Sequence, residues 1–318
     1  YIWNTLPRLK AMCNLADFRK MKVPFQEDYH PELDMSDLLN GSDISKYKSL
    51  IGSGNWLITL GRFDIQYAIS ALSQYSMAPR RGHMEALQKV YGYLQKYPSY
   101  MIPIDIAPPA IRKIASITTD QSWIEFYPDA VEATPPDMLP PLGNEAMVTV
   151  FVDADHARNQ VTRRSVTGII LLVNNTPVVW ISKRQSTVET STYGSELVAS
   201  RIAIDLIIEM HYKLRMLGVV LEKKTMLLGD NMSVALSTSI PSSSLKKKHL
   251  ACSYHRVREA IAGGYVIYGH IPSVSNLADV GTKPLGPTTF HNLIHPFLDP
   301  KPMHLMETKE QHALLSVE

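Results

Sequence analysis

At 318 residues, with 45% apolar and 19% charged side chains, the chain can bury ample core, most simply as two domains, and a disordered tail is excluded. A formal charge of +2 and a pI of 8.4 give no bulk attraction to polyanions, so any contact with nucleic acid must come from local basic clusters. Cys13 and Cys252 are too few and too far apart for a disulfide framework or a zinc pattern, which points to a reducing compartment. No apolar run reaches the roughly 18 residues of a membrane span. The opening Tyr1–Thr5 has neither an initiator Met nor a basic n-region, so the chain is expected to be part of something longer.

In chain order, residues 46–97 read as helical. Ile65, Ala68, Ile69 and Leu72 recur at helical spacing within Asp64–Ala78, as do Met84, Leu87, Tyr91 and Leu94 in the next segment, and Pro79 separates the two. From Pro98 to about 145 the density of proline argues against packed elements and suggests a linker with an irregular insert, with short strands expected at Ile111–Ile117 and Trp123–Tyr127. From Met147 the pattern changes. Met147–Asp153, Gly168–Asn174 and Val178–Ser182 are β-branched runs split by turn residues, which predicts an antiparallel meander. A long helix is predicted from Thr192 to Leu217, with Leu197, Ile204, Ile208 and Tyr212 on one stripe and Ala199, Ile202, Leu206 and Met210 on another. A strand at Met226–Leu228, a short helix from Asn231, a basic helix over Lys246–Ala262, a strand at Tyr265–Ile271 and a helical turn at Asp279 complete the order.

Asp153, Glu196, Asp230 and Asp279 each stand where a predicted strand ends or a helix begins. Singly, each reads as a cap or a solvated strand end. Jointly, four carboxylates converging on one end of a sheet would repel one another without divalent cations, and hard oxygen donors without Cys or His select Mg²⁺ or Mn²⁺. Two such ions about 4 Å apart activate a water and stabilise a leaving oxygen in phosphodiester hydrolysis. Basic clusters lie nearby in sequence: Arg158, Arg163 and Arg164; Lys183 and Arg184; and Lys246, Lys247 and Lys248. Each alone reads as solvated surface.

The blocks around these acids carry a resemblance. FVDAD at Phe151–Asp155, RRSVTG at Arg163–Gly168, WISKRQSTV at Trp180–Val188, SELVA at Ser195–Ala199, GDNMSVA at Gly229–Ala235, YHRVRE at Tyr254–Glu259 and LADVGTKPL at Leu277–Leu285 resemble the ribonuclease H domain of copia-type LTR retrotransposon polyproteins, in the family's order. YKSLIGS at Tyr47–Ser53 and DIQYAIS at Asp64–Ser70 are similar to the end of that family's reverse transcriptase. The resemblance implies a helical reverse-transcriptase remnant of thumb or connection type over 1–97, a Pro-rich insert over 98–145, a ribonuclease H-like domain over 146–290 and a tail over 291–318. The implied fold is α/β, a mixed five-stranded sheet flanked by helices. The implied activity is cleavage of the RNA strand of RNA:DNA hybrids with two Mg²⁺ ions, Mn²⁺ serving in their place.

The family's metal ligands fall on Asp153, Glu196, Asp230 and Asp279. Asp153 is expected to bridge both ions, Asp230 and Glu196 to hold the ion beside the scissile phosphate, and Asp279 the ion on the attacking water. Asp155 and Glu189 read as structural or as supports around the metal ligands, since Asp155 shares the face of Asp153 only if the strand continues past it. Ser195, Ser165 and Asn231 are candidates for a 2′-hydroxyl contact, and Lys183, Arg184, Lys246, Lys247 and Lys248 for phosphates. His249, His255, His270 and His291 read first as surface or core residues, with a part in product release as the sharper alternative. The implied partners are the hybrid and the polyprotein's upstream reverse transcriptase and its integrase, without a membrane. The implied location is intracellular, in a cytoplasmic virus-like particle or the nucleus. His156 stands where the family usually has Trp, and Ala251 where it commonly has Asp. The paired-aspartate motif Tyr-x-Asp-Asp appears nowhere, so no polymerase activity is expected. The rival expectation is an inactive or domesticated fragment serving as a nucleic-acid-binding or interaction module.

Overall fold

The computed structural model describes residues 20–107, 115–116, 121–221 and 224–300, with the single positions Pro7 and Ala11. Its backbone divides into two compact units, 1–103 with 284–318 and 104–283. The first holds helices α1 (Gly41–Thr59), α2 (Gln66–Ser73), α3 (Arg81–Lys96) and α7 (Pro287–Ile294), and a two-residue antiparallel pairing of β1 (Tyr100–Met101) with β8 (Asp299–Pro300). Asn40 caps α1 by accepting from Asp43 N at 2.9 Å. Two buried tyrosines tie these helices, Tyr47 Oη donating to Leu72 O at 2.7 Å and Tyr91 Oη to Leu50 O at 2.6 Å. Helix α2 stops short of the expected Ala78, because the Ser73 and Ser76 hydroxyls turn back onto the carbonyls of Ser70 and Ser73. The boundary expected at 290/291 falls inside α7.

The second unit is built on β3 (Val148–Asp155), β4 (Val166–Val173), β5 (Thr176–Arg184), β6 (Thr225–Gly229) and β7 (Val266–His270), with α4 (Thr192–Met216), α5 (Met232–Ser239) and α6 (Ala251–Ala262). β3, β4 and β5 form the antiparallel meander, β6 runs parallel to β3, and β7 parallel to β6. This order, with three antiparallel strands followed by two parallel ones reached through helices, is the ribonuclease H-like mixed sheet. A sixth strand, β2 (Ala115–Ser116), pairs antiparallel with the edge of β7. It is the described part of the strand expected at Ile111–Ile117, whose other residues lie outside the described ones.

On one face of the sheet Val148, Val150, Val152, Ala154, Ile169, Leu171 and Leu227 pack against Leu197, Ala203, Ile204 and Ile207 of α4 and against Tyr254, Val257 and Ala260 of α6. The buried stripe of α4 therefore runs through Ile207 and His211 rather than through Tyr212, which is 51% exposed. Trp123–Tyr127 is a turn rather than a strand: Phe126 N and Tyr127 N both donate to Trp123 O, at 3.0 and 2.9 Å. Its rings are held over the Arg258 guanidinium, with centroids at 5.0 Å (Trp123) and 5.6 Å (Tyr127). Helix α6 begins at Ala251, after a 3₁₀ turn at Lys248–Leu250, and not at Lys246. Three lysines in a first helical turn would face the positive end of the helix dipole, and Lys247 instead takes extended backbone and donates to Ser191 Oγ at 2.6 Å. Among the described residues no helix is long and apolar enough to cross a membrane.

Candidate active site

The sheet register alone brings two of the acids together. Thr149 pairs with Met226 and Phe151 with Leu228, so the same offset sets Asp153 beside Asp230, one residue past the end of β6. On its other side Asp153 pairs with Gly168 of β4. A Cβ on Gly168 would stand 2.5 Å from Ala278 O and 2.6 Å from Thr282 Cγ2, so only glycine admits the 3₁₀ turn Leu277–Gly281 that carries Asp279. Asn276, fully buried, pins that turn. Its Nδ2 donates to Val152 O at 3.0 Å and its Oδ1 accepts from Ala278 N at 3.1 Å. Glu196 arrives from the second turn of α4, whose start is capped by Ser191 and braced by Gln185. The Gln185 amide donates to Thr167 Oγ1 at 3.0 Å and to Ser195 O at 2.9 Å, joining β4 to the helix.

The result is a cluster of acids. Carboxylate oxygens of Asp153, Asp230 and Asp279 lie within 4.8 Å of one another. Asp153, Glu196 and Asp279 are buried and Asp230 is half-buried. Burial, with the charges of Asp153 and Asp230, raises Glu196 well above the usual carboxylate range, while a hydrogen bond from Ala154 N opposes the rise. Burial and the Asp153 charge push Asp279 up to about 8, with Lys283 pulling the other way. Thr282 Oγ1 donates a short bond to Asp153 Oδ2. His270 Nε2 donates to Asp230 O at 3.1 Å. Both rises have the same cause, the crowding of buried carboxylates, which Lys283 offsets only in part.

The donor set fits a hard divalent cation: it offers carboxylate oxygens, and Asp279 Oδ1 is buried with no hydrogen-bond partner among the described residues. The cluster opens into a cleft of about 510 Å³ lined by Asp153, Glu196, Asp230, Asn231, His156 and Lys283, among others. Asn231 caps α5 through Oδ1, which accepts from Val234 N at 3.2 Å, leaving its amide nitrogen as a donor toward a ligand.

The other residues singled out from sequence are distributed unevenly. Lys183 and Arg184 pair with Thr167 and Val166, in the rows of Ala154 and Asp155, so they end the sheet on the side of the acids. Lys247, through Ser191, places the Lys246–Lys248 run beside the start of α4, where Thr192 lines the cleft. Ser195 is fully buried; its Oγ donates to Thr192 O at 2.9 Å and lies 3.4 Å from His156 Nδ1. Ser165 is also fully buried and accepts from Ala157 N at 3.0 Å, closing the turn after β3. Asp155 pairs with Arg158 at 3.7 Å, and Glu189 stands 3.7 Å from His249 Nε2. His255 Nδ1 meets Tyr127 Oη at 2.7 Å, and His291 Nε2 donates to Lys22 O at 2.8 Å, so among the described residues His270 is the one of these four histidines in contact with Asp153, Glu196, Asp230 or Asp279.

Sequence reasoning missed Lys283, Thr282 and Gln185 as parts of the site. All three lie inside family-like blocks, which was the one signal available for them.

No family model matches the chain. Among curated relatives, a retrovirus-related Pol polyprotein from transposon RE1 of Arabidopsis thaliana is 25% identical over 287 residues, which is 89% of this chain and 17% of that protein. The Gag-Pol polyprotein of transposon Ty1-JR2 of Saccharomyces cerevisiae is 22% identical over 296 residues, 92% of this chain and 15% of its own length. The chain thus spans less than a fifth of the length of these two relatives. Among solved structures, the N-terminal RNase H domain of a Mycobacterium tuberculosis protein overlaps 48% of this chain and 98% of its own, at 12% identity and a TM-score of 0.34. The fold assignment rests on the strand order and not on that overlap.

Proposed function

We propose that this chain, whose homologues are Pol polyproteins of copia-type LTR retrotransposons, is a ribonuclease H that hydrolyses the RNA strand of RNA:DNA hybrids. The observation that carries this reading is the meeting of Asp153, Asp230 and Asp279, with Glu196 coupled to the first two, at one end of a ribonuclease H-like sheet.

In this reading Asp153, Glu196, Asp230 and Asp279 would hold two Mg²⁺ ions, for which Mn²⁺ could substitute. Asp153 would serve both ions, Asp230 and Glu196 the one beside the scissile phosphate, and Asp279 the one on the side of the attacking water. Bound there, such ions lower the pKa of water and neutralise charge on the leaving oxygen. The chain's own residues supply the rest. Thr282 and Asn276 hold Asp153 and the Asp279 turn in register, and Gln185 fixes the helix end that presents Glu196. Lys183, Arg184 and the Lys246–Lys248 run take backbone phosphates, which makes binding salt-dependent. The amide of Asn231 meets a 2′-hydroxyl, the group that separates RNA from DNA. The helical unit is the end of the reverse transcriptase, and the remaining parts of the polyprotein, integrase included, are its working partners.

The test is cleavage of a labelled RNA:DNA hybrid against duplex RNA and duplex DNA in Mg²⁺, by the chain and by Asp153→Asn. Hybrid cleavage that Asp153→Asn removes is expected. A chain that cuts nothing leaves the interaction-module reading, and one that cuts only duplex DNA is a different nuclease of this architecture.

A further inference from the structure

One cation of the chain's own stands inside the acid cluster. Lys283 Nζ lies 3.0 Å from Asp279 Oδ2 and 3.8 Å from Asp153 Oδ2. It is delivered by the turn that carries Asp279, since Lys283 N donates to Asp279 O at 3.2 Å. Its side chain lines the cleft and is 32% exposed, whereas the Asp279 side chain is 7% exposed. One Asp279 oxygen is taken by the ammonium and the other, Oδ1, is buried without a partner among the described residues. The cluster is also lopsided. Among the described residues no ion pair joins a lysine or arginine to Glu196 or Asp230, whereas both ion pairs of Lys283 go to Asp153 and Asp279.

A divalent ion held by Asp153 and Asp279 and an ammonium within 4 Å of the same two carboxylates repel each other strongly in a half-buried cleft. Both cannot stay. We infer that Lys283 occupies, in the ion-free chain, the place between Asp153 and Asp279 that one of the two divalent ions takes, so that this ion binds only by displacing the ammonium. The two ions then load unequally, the one on the Glu196–Asp230 side first. A substrate phosphate offers the displaced ammonium a new partner, so binding of the hybrid and of the second ion favour each other. The inference rests on the two-ion reading of the site, and it adds a resident competitor to that reading.

The test is Mn²⁺ binding to the whole chain, followed by the paramagnetic signal of the free ion, which needs no substrate. The chain should bind one ion tightly and a second weakly. Lys283→Gln should tighten the second by about fivefold or more, the scale of a partly exposed ion pair, and leave the first within about twofold. Lys283→Arg, which keeps the charge, should leave the second ion weak. An independent readout uses the unmutated chain. Acylation of Lys283, followed by mass spectrometry, should be slow without Mn²⁺ and speed up over the range that fills the second site, while acylation of Lys183 stays constant. A second-ion affinity unchanged or weakened in Lys283→Gln, or a Lys283 acylation rate indifferent to Mn²⁺, overturns the inference. The two readings fail separately: a chain that binds the ions in this pattern yet cuts no hybrid refutes the nuclease and leaves the competition standing.

Discussion

Gly168→Ala is the sharpest perturbation of the way the site is assembled. The added Cβ would lie 2.5 Å from Ala278 O and 3.2 Å from Gly281 C, both backbone atoms of a buried turn that no rotamer change can clear. Ordinary carbon contacts begin near 3.5 Å, so the turn must retreat by about 1 Å. Overpacking of that kind costs about 1–3 kcal/mol. The same retreat stretches the 3.0 Å bond from Asn276 Nδ2 to Val152 O to about 4 Å, past hydrogen-bond range, which adds about 1 kcal/mol. A loss of about 2–4 kcal/mol is therefore expected in urea unfolding followed by circular dichroism. Gly52→Ala is the control. Nothing lies within 4 Å of a Cβ there, in the middle of α1, so that substitution should be neutral or stabilise by up to about 1 kcal/mol. Because the retreating turn carries Asp279, Gly168→Ala should also weaken Mn²⁺ binding at a concentration where the chain is folded. An unfolding midpoint equal to that of the unmutated chain, with ion binding intact, would refute the claim that the missing side chain at 168 is what admits the turn.

Asn276→Ala strips two buried bonds at once and leaves Val152 O and Ala278 N unpaired, so a loss of about 2–4 kcal/mol in the same assay is expected, against no loss if water replaces the amide. Arg258→Lys should destabilise by about 3 kcal/mol, because a single ammonium cannot reach Ser237 O, Ile240 O and Pro241 O (2.9, 2.8 and 2.6 Å from the guanidinium) while stacking among Trp123, Tyr127 and Tyr254; a shift below about 0.5 kcal/mol would count against that packing. Stability of the ion-free chain should fall with rising pH. Asp279 is held at about 8 against an ordinary 3.8, and Glu196 is raised by the same kind of burial and repulsion, so the folded state keeps protons that the unfolded state has released. That contribution is complete below about pH 4 and is lost as pH climbs through about 8, the sense opposite to that of a carboxylate whose pKa is lowered on folding, because burial and the Asp153 charge outweigh the pull of Lys283. Thermal unfolding at pH 5 and pH 9 in a chelator should give the lower midpoint at pH 9, and a flatter difference in Asp279→Asn; a midpoint that rises with pH would contradict the burial of these acids.

Much of this was legible in the chain. The β-branched runs of the meander, the long helix from Thr192 and the strand before Asp230 are local patterns, and the acids sit at their ends because a carboxylate breaks an apolar period where an element leaves the core. Even the meeting of Asp153 with Asp230 follows from equal offsets once the strands are parallel neighbours. What tertiary structure alone decided depends on contacts across long sequence distances. Trp123–Tyr127 has strand-forming aromatics, yet Arg258, more than 130 residues away, draws the rings into a turn. The Lys246–Lys248 run lies outside helix α6 because Ser191 claims Lys247. Ser195 stands next to Glu196 in sequence but faces into the fold, since neighbours on a helix point about 100° apart. Lys283 looked like one more residue of a family-like block; only the folding of its turn onto Gly168 sets its ammonium between Asp153 and Asp279. Periodicity is a property of neighbours and can be read from them, whereas the charge that an acid meets belongs to whichever distant segment the core brings beside it.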